Sequence, residues 1–194
     1  LRINLSSYPT PLVRIHTQAK TDEFKQASVL SKQVRIHRQA IYQANPSNLE
    51  YGRLFANACM NVGTVLVERE LYSHGEESLQ QAQTIRLQIL ASSTVDKATT
   101  LTVQRDLSKG YYQLAELKRR ENAKDSFEKA EQYLDLALEA LHAVQHAGVQ
   151  WDAITEDDHL QAIRLLNVRL SLWTYAAMHE LETGLEPFED LKHG

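Results

Sequence analysis

The chain is organised around residues 47–91, which read SNLEYGRLFANACMNVGTVLVERELYSHGEESLQQAQTIRLQILA. A degenerate copy follows at a constant offset. Leu49 corresponds to Leu101 and Val62 to Leu114, since 101 − 49 and 114 − 62 both equal 52. The same offset relates Arg53 to Arg105, Phe55 to Leu107, Gly63 to Ala115, Ser78 to Ala130 and Ala82 to Leu134. A fixed offset over two helix-length patterns is typical of a repeat array. The sequence therefore predicts stacked helical repeats.

The composition favours a helical globular domain. The 194 residues are 43% hydrophobic and 24% charged, which are ordinary values for a folded domain. Seven Gly and four Pro, with no long alternating run of Val, Ile and Thr, favour helices over sheet. A chain of this length can bury one continuous core. The predicted fold class is all-α, with about six helices in antiparallel hairpins that form an α-solenoid.

Charge and cysteine content narrow the function classes. A net charge of −4 and a pI near 6.1 argue against nucleic acid as a partner, because phosphate binding requires a basic face. Cys59 is the only cysteine, so no intrachain disulfide is possible, and its neighbours predict a small core residue. No apolar run approaches the roughly 18 residues of a membrane span, and no secretory signal is visible. We expect a cytoplasmic location without membrane insertion. The start at Leu1 rather than Met predicts a fragment or a processed form.

Three segments are expected along the chain. Residues 1–20 are predicted to form an extended N-terminal arm, because Tyr8-Pro9-Thr10-Pro11 places two prolines one residue apart. Residues 21–184 form a single helical-repeat domain. Residues 185–194 form a loose tail.

Capping residues predict where the helices begin. The first helix is expected to begin at Thr21 or Asp22 and to end before Asn45-Pro46. The expected N-caps of the later helices are Ser47, Ser73, Asp96, Asn122 or Asp125, and Thr155. Glu50 and Glu76 lie three residues after the first two of these caps, as in a capping box.

Apolar stripes predict which helix faces are buried. In the first helix the stripe comprises Phe24, Ala27, Leu30 or Ser31, Val34, Ile41 and Tyr42. In the last helix it comprises Leu160, Ile163, Leu166, Leu170, Trp173, Ala177 and Leu181. The last helix is expected to cover the open end of the array, as a terminal repeat must.

Within each copy the spacing resembles the tetratricopeptide repeat. The positions that match its first helix are Cys59, Val62, Gly63 and Leu66, then Tyr111, Leu114, Ala115 and Lys118. The positions that match its second helix are Ser78, Ala82 and Ile85, then Ala130, Leu134 and Ala137. Small residues there let two helices approach closely. Lys118 stands at a usually aromatic position, and the period exceeds the usual length of roughly 34 residues.

Residues 44–51 resemble a second group of repeats. They read Ala-Asn-Pro-Ser-Asn-Leu-Glu-Tyr and resemble the entry to long repeats found C-terminal to bacterial, notably planctomycete, serine/threonine protein kinase domains. The resemblance implies a regulatory or scaffolding segment of a signalling kinase. No Gly-rich phosphate loop, His-Arg-Asp or Asp-Phe-Gly triplet occurs, so this chain is not itself the kinase domain.

The tetratricopeptide resemblance also implies a binding groove, because the first helix of each such hairpin lines the concave surface. The positions that match are Asn57, Met60, Thr64, Glu68, Lys109, Tyr112, Glu116, Arg119 and Arg120. A polar set with one aromatic ring and two adjacent arginines suits the backbone and acidic groups of a peptide. A solvated helix face explains the same residues. The predicted function is non-catalytic protein or peptide binding without a cofactor.

Two other functions remain open. A helical enzyme or metal-binding bundle would use His142 and His146, spaced i and i+4, with the acids of residues 156–158. The two histidines can equally be solvent-exposed residues, and acids are favoured in the first turn of a helix, so no metal or catalytic role is required to explain them. A structural role, in which the helix faces serve self-association, is the second alternative.

Overall fold

The computed structural model of the chain describes residues 11–121, 124–146 and 155–183. These residues form α1 (Pro11–Ala44), α2 (Leu49–Glu68), α3 (Tyr72–Leu90), α4 (Lys97–Glu121), α5 (Lys124–His146) and α6 (Glu156–Thr183). No strand occurs in the described ranges. The prediction of an all-α fold with six helices is confirmed.

The first helix is longer than predicted. α1 begins at Pro11, which suits a first helical turn because the N–H that proline lacks has no intrahelical partner there. The predicted start at Thr21 or Asp22 is therefore wrong, and residues 11–20 of the predicted arm are helical. The rest of the arm, residues 1–10, and the predicted tail, 185–194, lie outside the described residues. The predicted end before Asn45-Pro46 is confirmed.

Two of the predicted N-caps are confirmed. The Asp96 carboxylate accepts a hydrogen bond from the backbone N–H of Thr99 at 2.6 Å. At the start of α6, the N–H of Asp158 donates to the Thr155 hydroxyl, and the N–H of Thr155 donates to the Asp158 carboxylate. This reciprocal pair is a capping box.

The predicted caps of α2 and α3 are wrong. Asn48, not Ser47, caps α2, because its side-chain oxygen accepts from the backbone N–H of Tyr51 at 3.1 Å. α3 begins at Tyr72, one residue before the predicted cap Ser73, and has no side-chain cap bond. Both acids of the predicted boxes have other partners, since Glu50 binds Arg53 and Glu76 binds Lys118. Of the alternatives for α5, Asn122 lies outside the described residues and Asp125 falls inside the helix.

Each helix contacts the next one along the chain, and α2 also contacts α4, as α4 contacts α6. Burial follows the 52-residue offset. Phe55 and Leu107 are both buried, as are Val62 and Leu114. A core cluster from α2, α3 and α4 and another from α4, α5 and α6 fill the space between the helices.

α2 and α3 approach each other at glycines. A Cβ on Gly63 would lie 2.7 Å from Leu79 Cγ, and one on Gly75 would lie 2.8 Å from Val67 Cγ2. Real Cβ atoms do not come this close, so the separation of the two helices depends on both glycines.

The apolar stripe predicted for the last helix is exposed where it is described. α6 buries Asp158, Leu165, Val168 and Leu172, while Leu170 is 62% exposed. The exposed members of the predicted stripe are Leu160, Ile163, Leu166, Leu170 and Trp173, and the side chains of Ala177 and Leu181 lie outside the described residues. α6 carries apolar residues on two sides, and the buried ion pair of Asp158 with Arg105 orients the helix.

The stripe predicted for the first helix is exposed at three of its positions. Leu30, Val34 and Ile41 are exposed, whereas Ala27 and Tyr42 of the same predicted stripe are half-buried and Ser28 is buried. Two contacts fix this orientation: Arg38 donates to the Leu54 carbonyl at 3.0 Å, and Tyr42 packs on Phe55. The side chain of Phe24 lies outside the described residues.

Candidate functional site

The residues of the predicted groove lie on α2 and α4, which are in contact. Asn57, Met60, Thr64 and Glu68 lie on α2, and Lys109, Tyr112, Glu116, Arg119 and Arg120 lie on α4. We call this set the predicted face. Arg120 Nη1 and Glu68 Oε1 are 2.8 Å apart, which joins the two helices. The structure thus brings the ends of the two subsets together.

The charged groups of the predicted face have partners of opposite charge within the chain. Arg119 and Glu116 form an ion pair at 2.9 Å, and Arg120 binds Glu68 as well as lying 4.0 Å from Glu116. Lys109 lies 3.9 Å from Asp157 of α6. A ligand that used these groups would first have to displace their partners.

The remaining members of the predicted face have structural contacts. The side chains of Asn57 and Met60 both accept from the guanidinium of Arg86. Thr64 donates its hydroxyl proton to the Met60 carbonyl. Tyr112 is half-buried against the α4–α5–α6 cluster, where burial and Glu116 raise the pKa of its phenol. These side chains contribute to packing before any partner is considered.

Arg86 is a buried cation that the sequence did not reveal. It is 0% exposed in α3 and donates to Gln83 Oε1 at 2.8 Å and to Asn57 Oδ1 at 2.9 Å. Burial lowers the pKa of Arg86 to about 10, with Asp106 opposing the change. The guanidinium therefore stays charged at neutral pH. The only sequence signal is Gly110 of α4, whose missing side chain leaves the room that Arg86 and Gln83 occupy.

An open cleft of about 710 Å³ lies between α1 and α3, with α2 as its floor. We call it the α1–α3 cleft. Its apolar floor is formed by Val62 and Leu66. The α1 wall comprises Lys32, Arg35 and Ile36, and the α3 wall comprises His74, Glu77, Ser78, Gln80, Gln81 and Thr84.

The α1 wall of the cleft offers uncommitted positive charge. Among the side chains that the structure describes, no carboxylate lies within ion-pair distance of Lys32 or Arg35. Val29 and Ile36 are 55% and 63% exposed and share one side of α1 with Lys32, at i, i+7 and i+3. This side combines apolar surface with free cations. Sequence reasoning missed it because the same spacing also describes a solvated helix face.

Cys59 lies behind the cleft floor. The thiol is buried and donates a weak hydrogen bond to Gln81 Oε1 at 3.4 Å. Burial raises its pKa to about 11, against the opposing influence of Arg35 and Arg86. The thiol is therefore protonated at neutral pH, and the prediction of a core cysteine is confirmed.

The described part of the chain contains no ligand set for the metal-binding alternative. No group of three His, Cys, Asp or Glu side chains there is placed so that it could bind one metal ion. His142 is exposed, and the side chain of His146 lies outside the described residues. Of the acids in the first turn of α6, Asp158 is buried and binds Arg105. None of the helices, over their described residues, combines the length and apolar character required to cross a membrane.

No protein-family model, curated protein or solved structure matches the chain. The tetratricopeptide and kinase-associated resemblances therefore remain predictions from the residues that carry them.

Proposed function

We propose that the chain is a non-catalytic protein-binding module built from helical hairpins in a tetratricopeptide-like array. Contacts between α2 and α3 support hairpins: Gly52 faces Ile89, whereas Gly63 faces Leu79, so sequence positions rise in one helix as they fall in the other. This is the pattern of two antiparallel neighbours.

A repeated ion pair supports the stacking of the hairpins. Arg53 of α2 lies 3.7 Å from Asp106 of α4, and Arg105 of α4 lies 2.8 Å from Asp158 of α6. Both members of the second pair follow those of the first by the repeat offset of 52 residues. Equivalent positions on α2, α4 and α6 thus make equivalent contacts, as in a solenoid.

The observation that carries the binding proposal is the α1–α3 cleft. It joins an apolar floor to a wall with Lys32, Arg35 and Ile36, of which Lys32 and Ile36 are exposed, whereas the charges of the predicted face are paired within the chain. We assign the cleft to an acidic amphipathic segment of another protein. Its apolar side chains would cover Ile36 and the floor, and its carboxylates would bind the two cations.

Selection of peptides from a displayed random library tests this function. We expect the selected peptides to combine acidic and large apolar residues. Replacing Arg35→Glu together with Ile36→Lys should weaken their binding by about tenfold or more, because one ion pair becomes repulsive and an apolar contact is lost. Isothermal titration measures the change.

The matched control is Arg119→Glu with Arg120→Glu on the predicted face, which should leave peptide affinity within about twofold. Loss of affinity in this control alone would place the site on the predicted face. A library that yields no binder would contradict peptide recognition by this chain. The association with a signalling kinase stays a prediction from residues 44–51 alone.

A further inference from the structure

An acidic apolar segment follows α6 in the sequence. From Leu185 to Leu191 the chain reads Leu-Glu-Pro-Phe-Glu-Asp-Leu, with three acidic residues, three large apolar residues and no Lys or Arg. The apolar residues are three positions apart, a spacing that brings side chains to one side of an α-helix or a polyproline II helix. We call residues 185–191 the tail segment; they lie outside the described residues. Their composition is the one that the proposed function requires of a partner.

The α1–α3 cleft complements the tail segment in charge and in apolar surface. Lys32 and Arg35 on its α1 wall have no carboxylate within ion-pair distance among the described side chains. Beside them Ile36 is 63% exposed. The α3 wall carries Glu77, so acids that enter the cleft would face α1. The tail segment thus supplies acids for the two cations and apolar side chains for Ile36 and the floor.

Two helices separate α6 from the cleft of its own chain. Trp173 of α6 donates to Glu131 of α5 at 2.9 Å. Tyr133 of α5 accepts a hydrogen bond from Gln80, which belongs to the α3 wall of the cleft. α5 and α3 therefore lie between α6 and the cleft. Neighbouring helix axes are about 8–10 Å apart, so the centre of the cleft is about 20 Å or more from α6.

The tail segment is too close to α6 to fill the cleft of its own chain. Its central aromatic residue, Phe188, follows Thr183, the last residue of α6, by five positions. An extended chain spans at most about 3.6 Å per residue, so Phe188 reaches about 18 Å from Thr183, and Leu185 reaches about 7 Å. Both distances fall short of the cleft. A cleft that receives the whole segment must therefore belong to another copy.

We propose that the tail segment of one copy of this chain binds in the α1–α3 cleft of a second copy. The proposal rests on the proposed function, because it names a partner for the same site. Carboxylates of the segment bind Lys32 and Arg35, and its apolar side chains cover Ile36 and the floor. Each copy carries both a segment and a cleft, so the contact joins two different surfaces and allows assemblies larger than the monomer.

Variants of the 194-residue chain separate the two surfaces. Leu185→Ser with Phe188→Ser, the tail variant, removes two apolar side chains of the tail segment. Arg35→Glu with Ile36→Lys, the cleft variant, reverses one charge and removes one apolar contact of the cleft. Circular dichroism checks that the cleft variant folds, and Lys32→Glu, at an exposed position, replaces it if it does not.

A fluorescently labelled peptide of residues 183–194 measures the contact by anisotropy. We expect the peptide to bind the tail variant, whose clefts receive no tail, and to bind the cleft variant about tenfold or more weakly. The control peptide carries Lys192→Ala with His193→Ala, outside the tail segment, and its affinity should stay within about twofold. A labelled peptide that binds both variants equally, or neither of them, would overturn the proposal.

Sedimentation velocity across a dilution series tests whether the contact joins copies of the chain. We expect the wild type to exceed the monomer mass at high concentration and both variants to stay monomeric. An equimolar mixture of the two variants should form a heterodimer and nothing larger, because one intact segment and one intact cleft remain. A wild type that is monomeric at every concentration, or self-association that both variants retain, would overturn the proposal. If library-selected peptides still bind such a chain, the proposed function stands without this partner.

Discussion

At the scale of single residues, Arg86 and Gly110 form one unit of the core. The guanidinium of Arg86 occupies the space beside Gly110, and a Cβ at that glycine would lie 2.3 Å from Gln83 Oε1 and 2.6 Å from Arg86 Nη1. These two atoms are hydrogen-bonded to each other, and further bonds hold both side chains in place: Arg86 Nη2 donates to Asn57 Oδ1, and Gln83 Nε2 donates to the Leu107 carbonyl. A side chain at position 110 therefore displaces a buried network.

We predict that Gly110→Ala lowers the free energy of unfolding by about 1–3 kcal/mol, because overpacking forces the buried polar groups apart. Gly52→Ala is the matched control. Its Cβ would meet Tyr42 at 3.3 Å and Ile89 at 3.4 Å, which small side-chain shifts relieve. Urea unfolding measures both variants, and equal losses would contradict the role given to Gly110.

At the scale of helices, the end of α2 stores local backbone strain. Glu70 follows α2 with φ of 60°, in the left-handed region, while the N–H of Leu71 donates to the Leu66 carbonyl at 3.0 Å. Glycine adopts this conformation without the steric penalty of a Cβ.

We therefore predict that Glu70→Gly raises the free energy of unfolding by about 0.5–1 kcal/mol, since removal of the strain outweighs the entropy cost of glycine. Glu128→Gly, within α5, should instead cost about 1 kcal/mol. Thermal and urea unfolding measure the change in the free energy of unfolding of each variant, a gain for Glu70→Gly and a loss for Glu128→Gly. A destabilised Glu70→Gly variant would contradict this account of the turn.

The buried faces of α2 and α4 could be predicted from the sequence, whereas those of α1 and α6 could not. α2 and α4 were predicted well because their small and apolar residues recur at one offset, and both copies are buried at equivalent positions. α1 and α6 carry apolar residues on two sides, so periodicity alone could not choose between them. Contacts between residues distant in sequence determine which side is buried: Arg38 with the Leu54 carbonyl in α1, and Asp158 with Arg105 in α6. The cleft depends on the separation of α1 from α3, which no local pattern encodes.

At the scale of the whole molecule, we expect the attachment of α6 to depend on pH. Asp158 is 4% exposed and receives two short bonds from Arg105, both of 2.8 Å. Burial favours protonation, but Arg105 and the N–H and hydroxyl of Thr155 outweigh it and hold the pKa of Asp158 below its usual value. The stabilisation is therefore present above the unfolded pKa of about 3.9 and lost as the pH falls through the lower folded value.

We predict that Asp158→Asn lowers the free energy of unfolding by about 2 kcal/mol at neutral pH. The difference from wild type should begin to shrink as the pH falls below about 4, where the unfolded carboxyl takes up a proton, and should vanish only below the lower folded pKa, where the native carboxyl is neutral as well. Asp157→Asn, at an exposed site 3.9 Å from Lys109, should change little at any pH. A difference that stays constant with pH would contradict the ionic origin of the effect.

Hydrogen exchange tests the central claim, that the α1–α3 cleft binds the partner. Ser28 is the only buried side chain among the described side chains of α1. Because so little of α1 is buried, its backbone amides should exchange by local opening of the helix. Addition of a selected acidic peptide should slow exchange in α1 across residues 29–36 and in α3 across residues 74–84. α4 across residues 112–120 should stay unchanged. Protection of α4 without protection of α1 would contradict the account.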